Sequence, residues 1–280
     1  MDAAAKAQNS IVKKFRRTIW SRFTQAVGDY ALIAAGDRVA VCISGGKDSM
    51  LLAKCMQELA AHGPVPFAVQ YLVMDPGYRP ENRALIEENL AGLGIRAHIF
   101  SSEIFSSVEH IEKSPCYLCA RMRRGYLYRY AQQLGCNKIA LGHHYDDVIE
   151  TTLLSILYAG QVRGMMPRLR STNFPGMELI RPLYHVREAD ILAWRDYNGL
   201  RFLNCACRFT EEAAADEDRS KRARVKALIA RLAEENPFAE ANLMRCLENV
   251  HLDTVLGYTA SGRRVDFLQH FAEMGAAEEE

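Results

Sequence analysis

Arg38-Val39-Ala40-Val41-Cys42-Ile43-Ser44-Gly45-Gly46-Lys47-Asp48-Ser49 decides the fold. Its first half is a short, β-branched run with Gly36 before it and two glycines after it, the pattern of a buried strand. Beyond the glycines, Met50, Leu51, Cys55 and Leu59 recur at helical spacing over residues 48–61. Where such a strand feeds such a helix, free backbone N–H groups and the positive end of the helix dipole point outward and form an anion site. Gly45 and Gly46 let the backbone approach phosphate oxygens with no Cβ in the way. Lys47 can neutralise phosphate charge, and Asp48 can hold a magnesium ion directly or through water. The hydroxyls of Ser44 and Ser49 can donate to the anion. The spacing is not G-x-x-x-x-G-K-[ST], which disfavours a mononucleotide kinase or GTPase. An ordinary Gly-rich turn is the structural alternative, and six consecutive suitable residues in a strand–loop–helix context speak against it.

Outward from this segment, strands and helices alternate. Phe67 to Met74 is an apolar strand ending at Asp75 and the turn Pro76-Gly77, and Pro80 opens a helix to about Leu93. Further strands are expected over 95–100 and 138–141, and further helices over 118–134 and 147–158. This alternation argues for an α/β fold, a doubly wound, mainly parallel sheet. Residues 160–177 read as a loop, 187–197 as a helix, 200–217 as a loop and 218–251 as mostly helical. At the other end, Ile11, Phe15, Ile19, Trp20 and Phe23 mark one helix over 10–27. The expected organisation is a basic helical segment (1–30), a catalytic domain (31–215) and a C-terminal helical extension (216–280).

The chain has 280 residues, 49% of them hydrophobic and 25% charged, which excludes wholesale disorder and a small disulfide-stapled module. A chain of this length buries roughly 70–75% of its unfolded surface and needs no metal merely to fold. With 35 Lys+Arg against 34 Asp+Glu there is no global basic field. Basic residues do cluster locally: Lys6, Lys13, Lys14, Arg16, Arg17 and Arg22 near the start, four arginines between 121 and 129, and a run between Arg219 and Arg231. Taken singly, each reads as a solvated face. No apolar stretch approaches the roughly 20 residues of a membrane helix, and the N-terminus lacks the apolar core of a secretory signal. A cytoplasmic protein with no membrane association and reduced cysteines is expected.

Clustered cysteines in that setting read as metal, cluster or redox chemistry. Cys116 and Cys119 form a C-x-x-C at a helix start, where the helix terminus lowers thiol pKa values. The pair suits zinc, an iron–sulfur cluster or a redox dithiol, and partners must be found elsewhere, with Cys205 and Cys207 as candidates. Cys42, Cys55, Cys136 and Cys246 read as small core residues. Gly142-His143-His144-Tyr145-Asp146-Asp147 follows a strand at the sheet edge where open α/β proteins place ligands, so Asp146 and Asp147 are candidates for the nucleotide or magnesium site.

Ser-Gly-Gly-Lys-Asp-Ser after the first strand resembles the PP-loop of the ATP pyrophosphatases, whose adenine-nucleotide α-hydrolase-like fold matches the expected α/β architecture. Four further blocks, C-x-x-C-x-R-x-R-R-G from Cys116, A-L-G-H-H-x-D-D from Ala140, G-M-x-P at 164–167 and I-R-P-L at 180–183, are similar to the 2-thiocytidine synthetase (TtcA) group of that family. The matching blocks run from about Arg38 to Cys205.

The resemblance implies that Ser44 to Ser49 wrap the pyrophosphate of ATP, with adenine over the end of the first strand. It implies a nucleotide site of Ser44, Gly45, Gly46, Lys47, Asp48, Ser49, Asp75, Gly142 and Asp147, with Mg²⁺. It further implies a 4Fe–4S cluster held by Cys116, Cys119 and Cys205, leaving one iron open, and catalytic roles for Lys47, Asp48 and these three cysteines. The activity implied is adenylation of the C2 oxygen of a cytidine, position 32 of tRNA, followed by its replacement with sulfur and release of AMP. Expected partners are tRNA, ATP and a sulfur donor such as a cysteine desulfurase, with a homodimer left open. The family's third ligand usually stands in Pro-Cys-x-x-Cys, whereas this chain reads Asn204-Cys205-Ala206-Cys207-Arg208, so Cys207 is the alternative ligand.

Two other readings stay open at this stage. One keeps the PP-loop chemistry but acts on a different nucleoside or a small molecule. The other is a non-catalytic zinc- or cluster-binding regulator, which would not need the whole Ser44–Ser49 loop together with Asp146 and Asp147. For a tRNA substrate stand the basic N-terminal helix with its aromatics Phe15, Trp20 and Phe23, and the arginines beside the C-x-x-C. The alternative for that helix is a core or dimer element.

Overall fold

The computed structural model describes residues 2–102, 115–203 and 217–273, with 115–121, 123, 217–220, 270 and 273 described by backbone alone. Strand β1 (Arg38–Ile43) sits at the centre of a six-stranded sheet. It pairs in parallel with β2 (Ala68–Asp75) on one side and with β4 (Lys138–Ala140) on the other. Beyond β2 lies β3 (Ala97–Ser101), also parallel. Beyond β4 lies β6 (Glu178–Ile180), parallel again, and the edge is β5 (Arg168–Arg170), antiparallel to β6.

Helices cover both faces, which explains why β1 is buried continuously after its first residue instead of alternating. Val39, Val41 and Ile43 enter one core with helix α3 (Lys47–His62). Ala40 and Cys42 enter the opposite core, beneath α5 (Pro115–Gln133). Helix α4 (Pro80–Gly92) joins β2 to β3, α6 (Tyr145–Ala159) follows β4, and α7 (Glu188–Tyr197) follows β6. The expected α/β doubly wound architecture is therefore present. Cys42, Cys55 and Cys136 are buried as small core residues, and Cys246 is half-buried.

The N-terminal segment departs from the single helix expected over 10–27. Helix α1 (Ala3–Val12) is followed by a π-helical turn, Arg16–Trp20, and then by α2 (Ser21–Asp29). The reason lies in the spacing of Ile11, Phe15, Ile19 and Phe23, all of which are buried. A strict four-residue repeat drifts about 40° per step on an α-helix of 3.6 residues per turn. A wider turn absorbs that drift and keeps the four side chains on one core. Accordingly the Phe15 N–H reaches back five residues to the Ser10 carbonyl at 2.9 Å, and the Trp20 N–H to that of Phe15 at 3.3 Å. The burial of Phe15 and Phe23 bears out the alternative reading of this segment as a core element and removes these two rings from contact with RNA. Phe15 packs edge-on against Tyr197, and Phe23 is stacked under the half-buried Trp20.

Further elements escaped the sequence reading, β6 among them. Residues 168–170, inside the expected loop, form β5, too short at three residues for periodicity to show. After α8 (Glu217–Glu235) and α9 (Ala239–Arg245), strands β7 (Gly257–Ala260) and β8 (Arg263–Asp266) make a hairpin, followed by α10 (Phe267–Glu273). Its turn residues Ser261 and Gly262 both have positive φ, the geometry that matches the twist of a tight hairpin. Helix α8 lies on α6 through Ile149, Leu153, Val225 and Ile229. No helix among the described residues is long and apolar enough to cross a membrane.

Candidate active site

The order β3-β2-β1-β4 reverses direction between β1 and β4, the switch point at which open α/β sheets take ligands. The Ser44–Ser49 loop occupies one side of it. Gly45 has φ +87°, and a Cβ there would stand 2.8 Å from Cγ1 of Ile86, so only glycine fits. Gly46 caps α3, which begins at Lys47. The serines mainly shape the loop. Buried Ser49 donates its hydroxyl to the Gly46 carbonyl at 2.9 Å and accepts the Ser44 N–H at 3.1 Å. The Ser44 hydroxyl is exposed and donates to that of Ser49 at 3.3 Å.

On the other side of the switch point, Gly142 presses against the loop. A Cβ at Gly142 would lie 3.0 Å from the Asp48 carbonyl carbon and the Ser49 nitrogen. This close approach delivers His144, Asp146 and Asp147 to Asp48. The buried His144 ring stands 3.7 Å from Asp48 Oδ1, 3.6 Å from Asp146 Oδ2 and 3.5 Å from Asp147 Oδ2. Burial pulls its pKa down, but the adjacent Asp146 carboxylate and the charges of Asp147 and Asp48 outweigh this and hold it above the ordinary imidazole value. Burial likewise raises Asp48 against the pull of His144 and Lys47. Asp146 is half-buried, and against that burial it is held down at about 2 by the His144 ring beside it, the Glu188 N–H and Arg187.

Lys47 is not free to point into solvent. Its Nζ lies 3.1 Å from Asp48 Oδ1 and 3.0 Å from Glu188 Oε1. Glu188 also pairs with Lys226, and Arg222 reaches Asp147 at 3.3 Å and Glu150 at 3.1 Å. Arg187 pairs with Asp146 at 3.1 Å and Glu240 at 2.7 Å. Sequence reasoning singled out none of Arg187, Glu188, Arg222 or Lys226 as site residues. The last two belong to the basic run between Arg219 and Arg231, whose reading as a solvated face is corrected here. Nothing in the local sequence marks them, because they reach the site only through the packing of α8 on α6.

The motifs at 164–167 and 180–183 meet on the same edge. Buried Arg181 directs Nε at His143 Nδ1, 3.3 Å away, and hydrogen-bonds the Met166 carbonyl. Burial lowers the Arg181 pKa to about 10, and burial with the Arg181 charge lowers His143 to about 4. Asp75 stands at the end of β2 with its carboxylate already engaged. It accepts the N–H groups of Gly77 and Tyr78 at 2.8 Å each and the Arg83 guanidinium at 2.6 Å. Asp75 therefore shapes the turn at the rim of the site.

Positions 116 and 119 are one turn apart at the start of α5, described there by its backbone alone. Cys205 and Cys207 lie outside the described residues. The segment leading to them is anchored on the phosphate loop: the Leu203 N–H donates to the Gly45 carbonyl at 3.2 Å, and Asn89 holds the Arg201 carbonyl at 2.8 Å.

Two implied groups can be tested against these residues. Magnesium prefers one or two carboxylates completed by phosphate and water. Asp48 Oδ1 is a buried acceptor beside the anion loop that makes no hydrogen bond, only the 3.1 Å ion pair with Lys47, and it fits that need. Among the described residues no three acidic, histidine or cysteine side chains converge to hold an ion by themselves. For an iron–sulfur cluster, two cysteines one turn apart at a helix start and a third close in sequence to Leu203 form a soft thiolate donor set, the set such clusters require.

The PP-loop domain family matches residues 15–232. A tRNA-cytidine(32) 2-sulfurtransferase from Geotalea uraniireducens is 38% identical over 236 residues, 83% of this chain and 91% of that protein. One from Syntrophotalea carbinolica is 37% identical over 229 residues, 81% of this chain and 86% of that protein. In fold, the chain is similar to the U34-tRNA thiolase NcsA from Methanococcus maripaludis, solved with its [4Fe-4S] cluster. That match has a TM-score of 0.65 at 20% identity and covers 97% of this chain and 91% of the thiolase. The chain belongs to the PP-loop ATP pyrophosphatase family and, within it, to the tRNA-cytidine(32) 2-sulfurtransferase group.

Proposed function

We propose that this protein is an ATP-dependent tRNA sulfurtransferase that converts cytidine 32 of tRNA to 2-thiocytidine. The observation that carries this reading is the Leu203–Gly45 hydrogen bond at 3.2 Å, which ties the cysteine-bearing segment to the phosphate loop. Cys205 follows Leu203 by two residues in the sequence. Adenylation and sulfur delivery can then address one carbon without moving the substrate.

ATP binds with its β- and γ-phosphates against the N–H groups of the Gly45-Gly46 turn and the start of α3. Lys47 exchanges its Asp48 and Glu188 partners for phosphate oxygens, and Lys226 remains to neutralise Glu188. Asp48 Oδ1 would hold a magnesium ion, which would offset phosphate charge. The cytidine C2 oxygen attacks the α-phosphorus, a new P–O bond forms, the bond to the β-phosphate oxygen breaks, and pyrophosphate leaves. C2 now carries adenylate, a far better leaving group than an amide-like oxygen. Sulfur at the sulfide level adds to C2, the C2–O bond breaks, and AMP departs with that oxygen. Cys116, Cys119 and Cys205, with Cys207 as the alternative third ligand, would hold a 4Fe–4S cluster, which would supply a binding site for the sulfur to be transferred. A cysteine desulfurase or similar donor would replenish it as persulfide sulfur, which two electrons from a thiol or other reductant bring to the sulfide level.

Release of AMP and pyrophosphate on addition of unmodified tRNA tests the reading. Release that requires a tRNA bearing cytidine 32 is expected. Release with a small-molecule acceptor, and none with tRNA, overturns the substrate assignment. In anaerobically purified protein, Cys116→Ala, Cys119→Ala and Cys205→Ala should each abolish the visible absorbance of the cluster, while Cys55→Ala, deep in the core, retains it. Loss with Cys207→Ala and retention with Cys205→Ala would move the third ligand to Cys207.

A further inference from the structure

The π-helical turn that keeps Phe15 and Ile19 in the core has a consequence on its outer side. Widening the helix there presents Lys13, Lys14, Arg16 and Arg17 together, all exposed. With Arg22 from α2 and Arg187 from the start of α7, they line one groove. The acid in its lining is Asp190, on which the Thr18 hydroxyl and the charges of Arg187 and Arg22 act. Among the described residues, none of Lys13, Arg16, Arg17 and Arg22 forms an ion pair. Lys14 is spread over the Tyr197 ring, 4.3 Å from its centroid, which leaves its charge accessible.

The position of the groove matters as much as its charge. Arg187 lines it and also pairs with Asp146, whose carboxylate contacts His144. The next residue, Glu188, pairs with Lys47 of the phosphate loop. Arg187, at the edge of the groove, is therefore one peptide unit from the residue that pairs with the phosphate loop. The walls are fixed as well as charged. Asn198 on α7 hydrogen-bonds the Ser10 hydroxyl at 3.1 Å, and Trp194 reaches the Ala7 carbonyl at 3.4 Å, which ties α7 to the N-terminal helices.

Resting on the tRNA reading above, we propose that this groove is where the RNA sugar–phosphate backbone docks, aligning the reactive cytidine with the phosphate loop. Unpaired lysines and arginines in a row match a polyphosphate strand, and each phosphate they neutralise releases condensed counterions. The rings of Phe15 and Phe23 are turned into the core and cannot stack on bases, so the groove positions the RNA without reading its sequence.

Binding of a fluorescently labelled, unmodified tRNA transcript to the full-length protein, measured by anisotropy from 50 to 200 mM salt, tests the assignment. Arg16→Glu/Arg17→Glu should weaken binding at least tenfold at 100 mM salt. It should also flatten the plot of log affinity against log salt by about 0.9 for each phosphate no longer neutralised. ATP binding by the same variant should stay within twofold, which also shows that it is folded; Lys13→Glu/Arg22→Glu is the second variant should the first fail to fold. Arg263→Glu/Arg264→Glu, an equal charge change on the C-terminal hairpin, should cost less than twofold. An unchanged Arg16→Glu/Arg17→Glu variant, or an equal loss from the hairpin variant, overturns the groove while leaving the enzyme reading intact. A wild-type protein that binds no tRNA sinks that reading as well. Groove-dependent binding to phosphatidylglycerol vesicles instead of tRNA would assign the cations to a membrane surface and overturn the proposal.

Discussion

At the phosphate loop one half-buried ammonium, Lys47, is already shared between Asp48 and Glu188, whereas across Arg187 the N-terminal groove offers exposed cations that form no ion pairs among the described residues. Both surfaces suit phosphate, but they hold it differently. The loop depends on position: backbone N–H groups aimed by Gly45, a lysine pre-oriented by carboxylates, and a buried Asp48 oxygen paired with that lysine. The groove depends on charge density in water, which salt screens over about 10 Å at 0.1 M. A small displacement disables the first and barely touches the second, and raising the salt does the reverse.

The largest effect that separates the two regions is expected from Lys47→Ala. It should lower the rate of AMP release about 100-fold or more, the scale of losing one aimed donor to a developing charge. The affinity for tRNA should stay within twofold of wild type. A parallel loss of tRNA binding would show that the loop and the groove are not separate functions.

Next comes Gly45→Ala. The residue sits at φ +87°, and its new methyl would meet Ile86 at 2.8 Å, so a destabilisation of about 2–3 kcal/mol is expected, with weakened ATP binding. Thermal unfolding with and without ATP measures both, and an unaltered midpoint would contradict the assigned backbone geometry. Arg222→Ala is expected to be milder, about 1–2 kcal/mol, because it removes the partner of the buried Glu150 carboxylate. If α8 were only a solvated face, this substitution would shift stability by no more than about 0.5 kcal/mol.

The smallest effect is on pH dependence. Burial and Arg181 depress His143 to about 4, and burial depresses His185 in the same direction. Below an unfolded value near 6.5 the unfolded chain takes up protons that these folded rings refuse, so stability falls as pH drops from about 6.5 toward 4. His144 has the opposite sign: its raised folded value favours the native state below about 6.5, and that gain fades as pH rises through the folded value. His143→Gln should therefore reduce the fall in melting temperature between pH 7 and pH 5 by a few degrees. An unchanged fall would show that His143 is not buried as a neutral ring. The depressed Asp146 does not confuse the comparison, because it titrates below this window.

How legible each region was follows from how local its causes are. β1, the Gly-Gly turn and α3 could be read because strand, turn and helix signals follow one another within residues 38–62 and agree. Gly142 and the acidic start of α6 were legible for the same reason, although the contact of Gly142 with Asp48 was not. The salt-bridge network was hidden: Glu188 meets Lys47, and Arg222 meets Asp147, across long stretches of chain, with only ordinary helix-start or basic-cluster patterns to show for it. The N-terminal break was visible in principle, since Ile11, Phe15, Ile19 and Phe23 keep a period of four that an α-helix does not sustain. One reading of that stripe put Phe15 and Phe23 on the RNA side and the other put them in the core, and their burial there is what pushes the lysines and arginines outward.

The central claim is that this chain places sulfur on C2 of cytidine 32, and nucleoside mass spectrometry of tRNA tests it most directly. Cells lacking the gene should lose 2-thiocytidine, wild-type protein should restore it, and Lys47→Ala should not. Unchanged 2-thiocytidine in the deletion strain, or full restoration by Lys47→Ala, would contradict it.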